Sequence, residues 1–405
     1  MGARRSTHGF TIMEMLIATG IMMTVTGAVF TLMNPTQGTY KAQPEVSDMQ
    51  QRMRVGADML TKDLIMAGAG TYMGTSAGAL YNYFSPIMPY RVGDLNPDPA
   101  ANVFYRTDTI SLIYVPPTAA QAGVVKDLGN GNSQELVVQP QLNCGIDKHT
   151  QLCGFHSDPP MRALIYDVDG SWDLTTLTNV QDEALHLQHT DKLSSAYDSG
   201  QAVITEVSAH TYYLKTDTNT NTYQLMHYDG TNDSQADVPV VDNVVKLNFA
   251  YFGDPQPPML LANKSPCETP PKGAYTTYGP RPPCLGTPPK TTYPSGENCA
   301  FKVVNGAQVP RLATLAGSGQ VELTQAMLTD GPWCPDETSS NRYDVDLLRI
   351  RRVEVTLRVQ SALESLRGPT STLFLRGGTA TDSKKLVPDQ EVKFSVTPRN
   401  MTLGR

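Results

Sequence analysis

The strongest contrast between apolar and polar positions lies at the start of the chain. Residues 10–33 read FTIMEMLIATGIMMTVTGAVFTLM, with Glu14 as their one charged side chain. As an α-helix this run spans about 36 Å, enough to cross the hydrocarbon core of a bilayer. Arg4 and Arg5 precede it and should stay on the cytoplasmic side, which puts the long remainder of the chain outside. An ordinary secretory signal carries small residues at a cleavage site behind its apolar run. Here the run passes into Met33-Asn34-Pro35 without such a pattern, so the sequence predicts a retained, single-pass transmembrane helix. Gly20, Thr24, Gly27 and Thr31 line one side of it at four-three-four spacing, a face that admits close backbone approach by another helix. Glycine and threonine are also common in membrane helices at large, and the face reads equally well as composition.

A second periodicity follows. Pro35 and Gly38 predict a kink or loosening where the helix leaves the membrane. Val46, Met49, Met53, Ala57, Leu60 and Leu64 then recur at three- and four-residue spacing as one apolar stripe, with Asp48, Gln51, Arg52, Asp58 and Lys62 elsewhere. Ala67-Gly68-Ala69-Gly70 predicts the stop, because glycine is the usual residue past a helix C-terminus.

Beyond Gly70 the pattern changes to short strands and turns. Residues 109–115 and 164–167 read as strands, and 204–214 with 222–228 read as a hairpin around a polar Thr/Asn turn. In 244–252, Val245, Leu247, Phe249 and Tyr251 share a face. In 348–360, Val353, Val355, Leu357 and Val359 alternate with Glu354, Thr356 and Arg358. A slip of phase at Arg351-Arg352 predicts a bulge, and 391–396 is placed as a closing strand. The expected class is α+β: a long N-terminal helix, transmembrane then amphipathic, packed on an antiparallel β-sheet head.

Composition sharpens one region. Between Gly253 and Asp346 lie fifteen of the 30 prolines and four of the 6 cysteines. Proline removes ladder donors, so this stretch predicts a loop excursion without regular strands, stapled by disulfides between two core strands. A stabilising elaboration accounts for it most simply, and a surface for adhesion or tip binding is the sharper alternative. All six cysteines (Cys144, Cys153, Cys267, Cys284, Cys299, Cys334) lie downstream of the apolar run, an even set suited to an oxidising compartment. Their connectivity stays open, with Cys144–Cys153 a guess from proximity.

The flanks of Glu14 add what periodicity cannot. A carboxylate in mid-bilayer costs about 2.5–3.5 kcal/mol and ordinarily finds a partner or snorkels to the interface. His8-Gly9-Phe10-Thr11-Ile12-Met13-Glu14 resembles the signal of type IV prepilins and type II secretion pseudopilins. In that family a short basic leader ends in Gly, cleavage falls before Phe, and Glu stands at the fifth mature position. The resemblance implies cleavage between Gly9 and Phe10 by a prepilin peptidase and N-methylation of the Phe10 amine. It also implies pairing of Glu14 with the Phe10 amine of a neighbouring subunit, which would offset two burial costs at once. Loss of Arg4 and Arg5 with the leader takes the formal charge from −7 to −9, and so acidic a chain gives no support for a nucleic-acid partner.

The remainder is similar to the large minor pilins of the PilW class in Tyr212–Leu214 (YYL), Val238–Asp254, Arg351–Gln360 and Val396–Asn400. This likeness implies a pilin-like fold in six parts. They are a leader (1–9), a transmembrane helix (10–33), the outer half of the helix (34–70), a β-rich periplasmic head (71–252), the Pro/Cys-rich excursion (253–346) and closing strands (347–405). It further implies an inner-membrane subunit that helps initiate or cap a type IV pilus, with other major and minor pilins and the inner-membrane assembly platform as partners. A type II secretion pseudopilin, or an anchored adhesin or binding protein that never polymerises, are the alternatives.

Other chemistry is thinly represented. Gly74-Thr75-Ser76-Ala77-Gly78 matches G-x-S-x-G, but a nucleophile elbow needs a strand before it and a helix after it. Cys144, His149, Cys153 and His156 have a spacing that zinc tolerates, yet a disulfide with bystander histidines explains them more simply. Asp167, Asp169 and Asp173 offer carboxylates to calcium, whereas a strand-ending Asp-Gly turn needs no ion. With no Walker A loop, HExxH or dinucleotide fingerprint, the sequence predicts no catalytic residues, no metal and no cofactor.

Overall fold

The computed structural model describes residues 9–72, 76–90, 106–117, 120–129, 135–141, 150–189, 192–217, 222–229, 237–261, 275–288, 290–378 and 386–402. At 33–39, 217, 222 and 237 it describes the backbone alone. It contains one long helix, Ile12–Met66, and three larger, mostly antiparallel sheets, an α+β layout. The chain divides into two compact units, Met1–Met53 with Val359–Gln390 and Arg54–Arg358 with Glu391–Arg405.

The helix is 55 residues long and remains helical through Pro35 and Gly38, where the sequence predicts a kink or loosening. Its burial follows a heptad-like stripe, but not quite the one that apolarity predicts. Ala42, Glu45, Met49, Gly56, Leu60, Asp63, Leu64 and Ala67 are buried, while Val46, Met53 and Ala57 are half-buried. Gly56 enters the stripe because the helix lies close on its sheets. A Cβ there would stand 3.0 Å from Leu357 Cδ2 and 3.3 Å from Val241 Cγ2. Full burial of Leu60 and Leu64 stabilises this packing by about 1.5–3 kcal/mol each. The expected stop is correct: the helix ends at Met66, and Gly68 takes φ +82°, a left-handed value that glycine accepts without steric cost.

In the first unit, residues 359–378 and 386–390 are tied to one another and to the helix by hydrogen bonds. Glu45 accepts the backbone N–H of Ala362. The Arg367 side chain donates to the carbonyls of Ser361 and Ala362, and Leu375 N–H donates to Asp389.

In the second unit a five-stranded sheet runs in the order Ile87–Pro89, Ile110–Tyr114, Ser208–Asp217, Thr222–Tyr228, Asp237–Asp242. A six-stranded sheet runs Gln121–Gly123, Val203–Glu206, Arg162–Tyr166, Trp172–Gln181, His186–His189, Glu135–Val137, over a core that includes Leu136, Leu152, Phe155, Ile165, Leu177 and Tyr197. The third sheet runs Val321–Leu323, Val244–Gly253, Ile350–Val359, Gln390–Val396.

Three expectations need correction. The predicted strand 204–214 is two strands in different sheets, separated at Val207, whose N–H donates to Arg162 O. Its second part does form the hairpin with Thr222–Tyr228. The phase slip at Arg351-Arg352 is not needed. Leu348 belongs to a 3₁₀ turn, Val345–Arg349, and the strand begins at Ile350 with Arg351 on the same inward face as Val353. Arg351 is buried because Tyr81 and Tyr278 cover its guanidinium at 5.3 and 4.9 Å, and its Nη1 donates to Leu348 O and Ile350 O. Finally, the 253–346 excursion does hold strands. Phe301–Val304 pairs with Ala307–Pro310, Trp333–Cys334 pairs with Tyr343–Asp344, and Val321–Leu323 joins the third sheet. Its prolines crowd into 255–294, which leaves the chain from 295 to 309 free to pair.

Candidate functional site

The first 21 residues of the helix, Ile12–Leu32, have a mean hydropathy of 1.9 and none is buried, so the segment is long and apolar enough to cross a membrane. Its first turn closes on itself. Glu14 N–H donates to Thr11 Oγ1 at 3.2 Å, while Thr11 N–H and Oγ1 both donate to Glu14 Oε2 at 2.9 Å. This reciprocal cap satisfies two otherwise orphaned N–H groups, a role the sequence reading did not assign to Glu14. Both contacts fall on Oε2, and Oε1 has no partner among the described residues. Thr24 and Thr31 donate to the carbonyls of Gly20 and Gly27, so each hydroxyl is satisfied within its own helix. A Cβ on Gly20 or Gly27 would meet nothing within 4 Å. Gly9 and Phe10 precede the helix in the open, Phe10 at 88% exposure.

A second constellation lies where the helix crosses the five-stranded sheet. Asp63, on the helix, is 5% exposed. Tyr212 Oη donates to its Oδ2, and Tyr114 Oη lies 3.4 Å from its Oδ1. Tyr114 Oη is also 3.1 Å from His210 Nε2, and His210 Nδ1 is 2.7 Å from His227 Nε2. The two imidazoles lie with their centroids 4.9 Å apart, Tyr114 stacks on His210, and the Tyr212 ring lies tilted against His227. Adjacent strands present these residues: Tyr212 pairs with His227, Ile110 pairs with Tyr212, and Leu112 pairs with His210. Burial holds both imidazoles below the usual histidine range and pushes Tyr114 up to about 12, with the Asp63 charge adding to the latter. The sequence reading missed the group entirely. Asp63 looks like one more polar residue on an amphipathic helix, and only the strand register brings His210 and His227 to it.

Comparison of the chain with family models, with curated proteins and with solved structures returned no match in any of the three.

The weaker sequence candidates resolve locally. Ser76 is fully buried and its Oγ donates to Gln201 O, with a 3₁₀ turn rather than a helix following at Leu80–Asn82. That is not the exposed geometry of a nucleophile elbow; Gly74 and Thr75 lie outside the described residues. Asp167 Oδ1 accepts the N–H groups of Asp169 and Ser171 across a turn in which Gly170 has φ +93°. The Asp173 carboxylate is taken up by Ser194 N–H, Tyr197 Oη and Asn341 Nδ2. The Asp-Gly run is therefore a turn whose carboxylates serve separate partners.

Cys299 and Cys334 form a disulfide within the excursion, with Cα atoms 5.1 Å apart. Cys153 and Cys284 are also disulfide-bonded, and Cys144, His149 and Cys267 lie outside the described residues. A disulfide-bonded Cys153 cannot serve as a zinc thiolate, and His156 Nδ1 is 2.7 Å from Pro159 O. A cleft of about 300 Å³ opens beside this region, where Lys290 pairs with Asp198 and Arg281 covers the Tyr275 ring at 5.8 Å.

Proposed function

We propose that this chain is a minor pilin-like subunit that is trimmed before Phe10 and inserted through its N-terminal helix into a type IV pilus, where it helps initiate or cap assembly. The observation that carries the reading is the joint one at the N-terminus. The His8-Gly9-Phe10 junction and Glu14 stand at the head of an apolar segment that is unburied over its whole length, and the same helix continues into a half laid on β-sheet. A helix with no internal partner for its apolar face needs lipid or other helices around it.

In this mechanism the peptidase removes residues 1–9 and the new Phe10 amine is methylated. The Glu14 carboxylate of one subunit then receives the cationic Phe10 amine of the next, which fixes axial register inside the membrane. Glu14 Oε1 can accept that amine without giving up the Thr11 cap. The head stays in the periplasm and meets other minor subunits. The expected partners are the prepilin peptidase, the pilins and the inner-membrane assembly platform.

The deciding experiment is the intact mass and N-terminal sequence after co-expression with a prepilin peptidase. Loss of residues 1–9 with a methylated Phe10 supports the reading. An intact leader, or cleavage beyond Met33, overturns it.

A further inference from the structure

We propose that Asp63, His210 and His227 form a binding site for one divalent transition-metal cation of the zinc class, set between the helix and the five-stranded sheet. One ligand atom from each residue lies within 4.8 Å of those from the other two. The donor set, two imidazole nitrogens and one carboxylate oxygen, suits zinc, cobalt or nickel and not calcium or magnesium, which take oxygen ligands.

Charge argues in the same direction. Asp63 is buried, and among the described residues it has no cationic partner within salt-bridge distance; two phenols hold it instead. A buried carboxylate left without counter-charge is costly, and a cation in front of it removes that cost. The hydrogen bonds also pre-assign the imidazole nitrogens. Tyr114 Oη donates to Asp63 Oδ1, so it accepts from His210 Nε2–H, which leaves His210 Nδ1 unprotonated and aimed at His227 Nε2. Binding needs only that the His227 proton move to Nδ1. A cation then replaces the shared proton, and the 2.7 Å nitrogen–nitrogen separation widens to about 3.3 Å, the tetrahedral edge for bonds of about 2.0 Å. Tyr114 acts from outside as a positioning residue by fixing the His210 tautomer. Entry is open, because His210 and His227 are both half-exposed. Water supplies the fourth position.

The test uses the full-length protein in detergent, carrying no polyhistidine tag and stripped with chelator, titrated with Co²⁺ and then with Zn²⁺ as competitor. Expected are one equivalent of Co²⁺ with the intense visible absorption of four-coordinate cobalt, loss of that signal in His227→Gln, and affinity about 10–100-fold weaker in Tyr114→Phe. His156→Gln should bind as the wild type does. Absence of the absorption in the wild type, or its persistence in His227→Gln, overturns the proposal. Should His227→Gln fail to fold, wild-type protein decides the matter through diethyl pyrocarbonate labelling read residue by residue. Zn²⁺ should protect His210 and His227 but not His156, and equal labelling with and without Zn²⁺ rejects the site.

Discussion

The Glu45 carboxylate accepts the backbone N–H of Ala362 at 2.5 Å, joining positions 317 residues apart. Glu45 is 8% exposed, so its removal leaves a backbone donor with little access to water. Glu45→Ala should loosen the chain around Ser361–Arg367 at a local cost of about 1–3 kcal/mol. Hydrogen exchange should show faster exchange at Ala362, Leu366 and Arg367, with the strands of the second unit unchanged. Unchanged protection at all three amides would mean that the contact holds nothing in place.

Gly20 and Gly27 have open space where a Cβ would be, so bulk there cannot disturb the fold of a single subunit. Gly20→Leu and Gly27→Leu should therefore leave the melting curve of the detergent-solubilised protein within about 0.5 kcal/mol of wild type. If the small-residue face packs against neighbouring helices, as the proposed assembly requires, the same variants lose incorporation into filaments. Normal incorporation would return Gly20, Thr24, Gly27 and Thr31 to ordinary membrane-helix composition.

Asp344 carries a pH signature. Burial pushes its carboxyl up to about 8, against the bonds it accepts from Asp346 N–H and Gly331 N–H. A group whose pKa is raised by folding contributes stability that is fully present below its unfolded value and is lost as pH rises to the folded one. Between about pH 4 and 8 the Asp344 contribution therefore falls, by at most about 1.4 kcal/mol per pH unit. The melting midpoint should drop from pH 6.5 to 8, and the drop should be smaller in Asp344→Asn. Equal slopes in the two proteins would assign the titration elsewhere.

The Cys299–Cys334 disulfide ties the start of one excursion hairpin to a strand of the next, across a sequence separation of 35. Replacing both cysteines with serine should destabilise the second unit by about 2–5 kcal/mol, measured by urea unfolding under non-reducing conditions. A midpoint equal to that of wild type would show the excursion to be held by its other contacts alone, among them the carbonyls of Asp254, Pro255 and Ala313 on the buried Arg349 side chain.

The sequence by itself determined the elements whose signal is local. The apolar run, the helix stop at Gly68, the strands 110–114 and 244–253 and the alternation through Val353, Val355, Leu357 and Val359 are periodic or carry their own end signals, so neighbours in sequence suffice to define them. Tertiary structure decided what depends on neighbours distant in sequence. The strand at 204–214 reads as continuous until two sheets claim its halves. Arg351 reads as a break in phase until Tyr81 and Tyr278 give a buried guanidinium somewhere to lie. Asp63 reads as solvent-facing until strand register sets Tyr212, Tyr114 and two histidines before it. A polar side chain can be buried once partners satisfy it, and those partners come from distant segments that no local pattern can reveal.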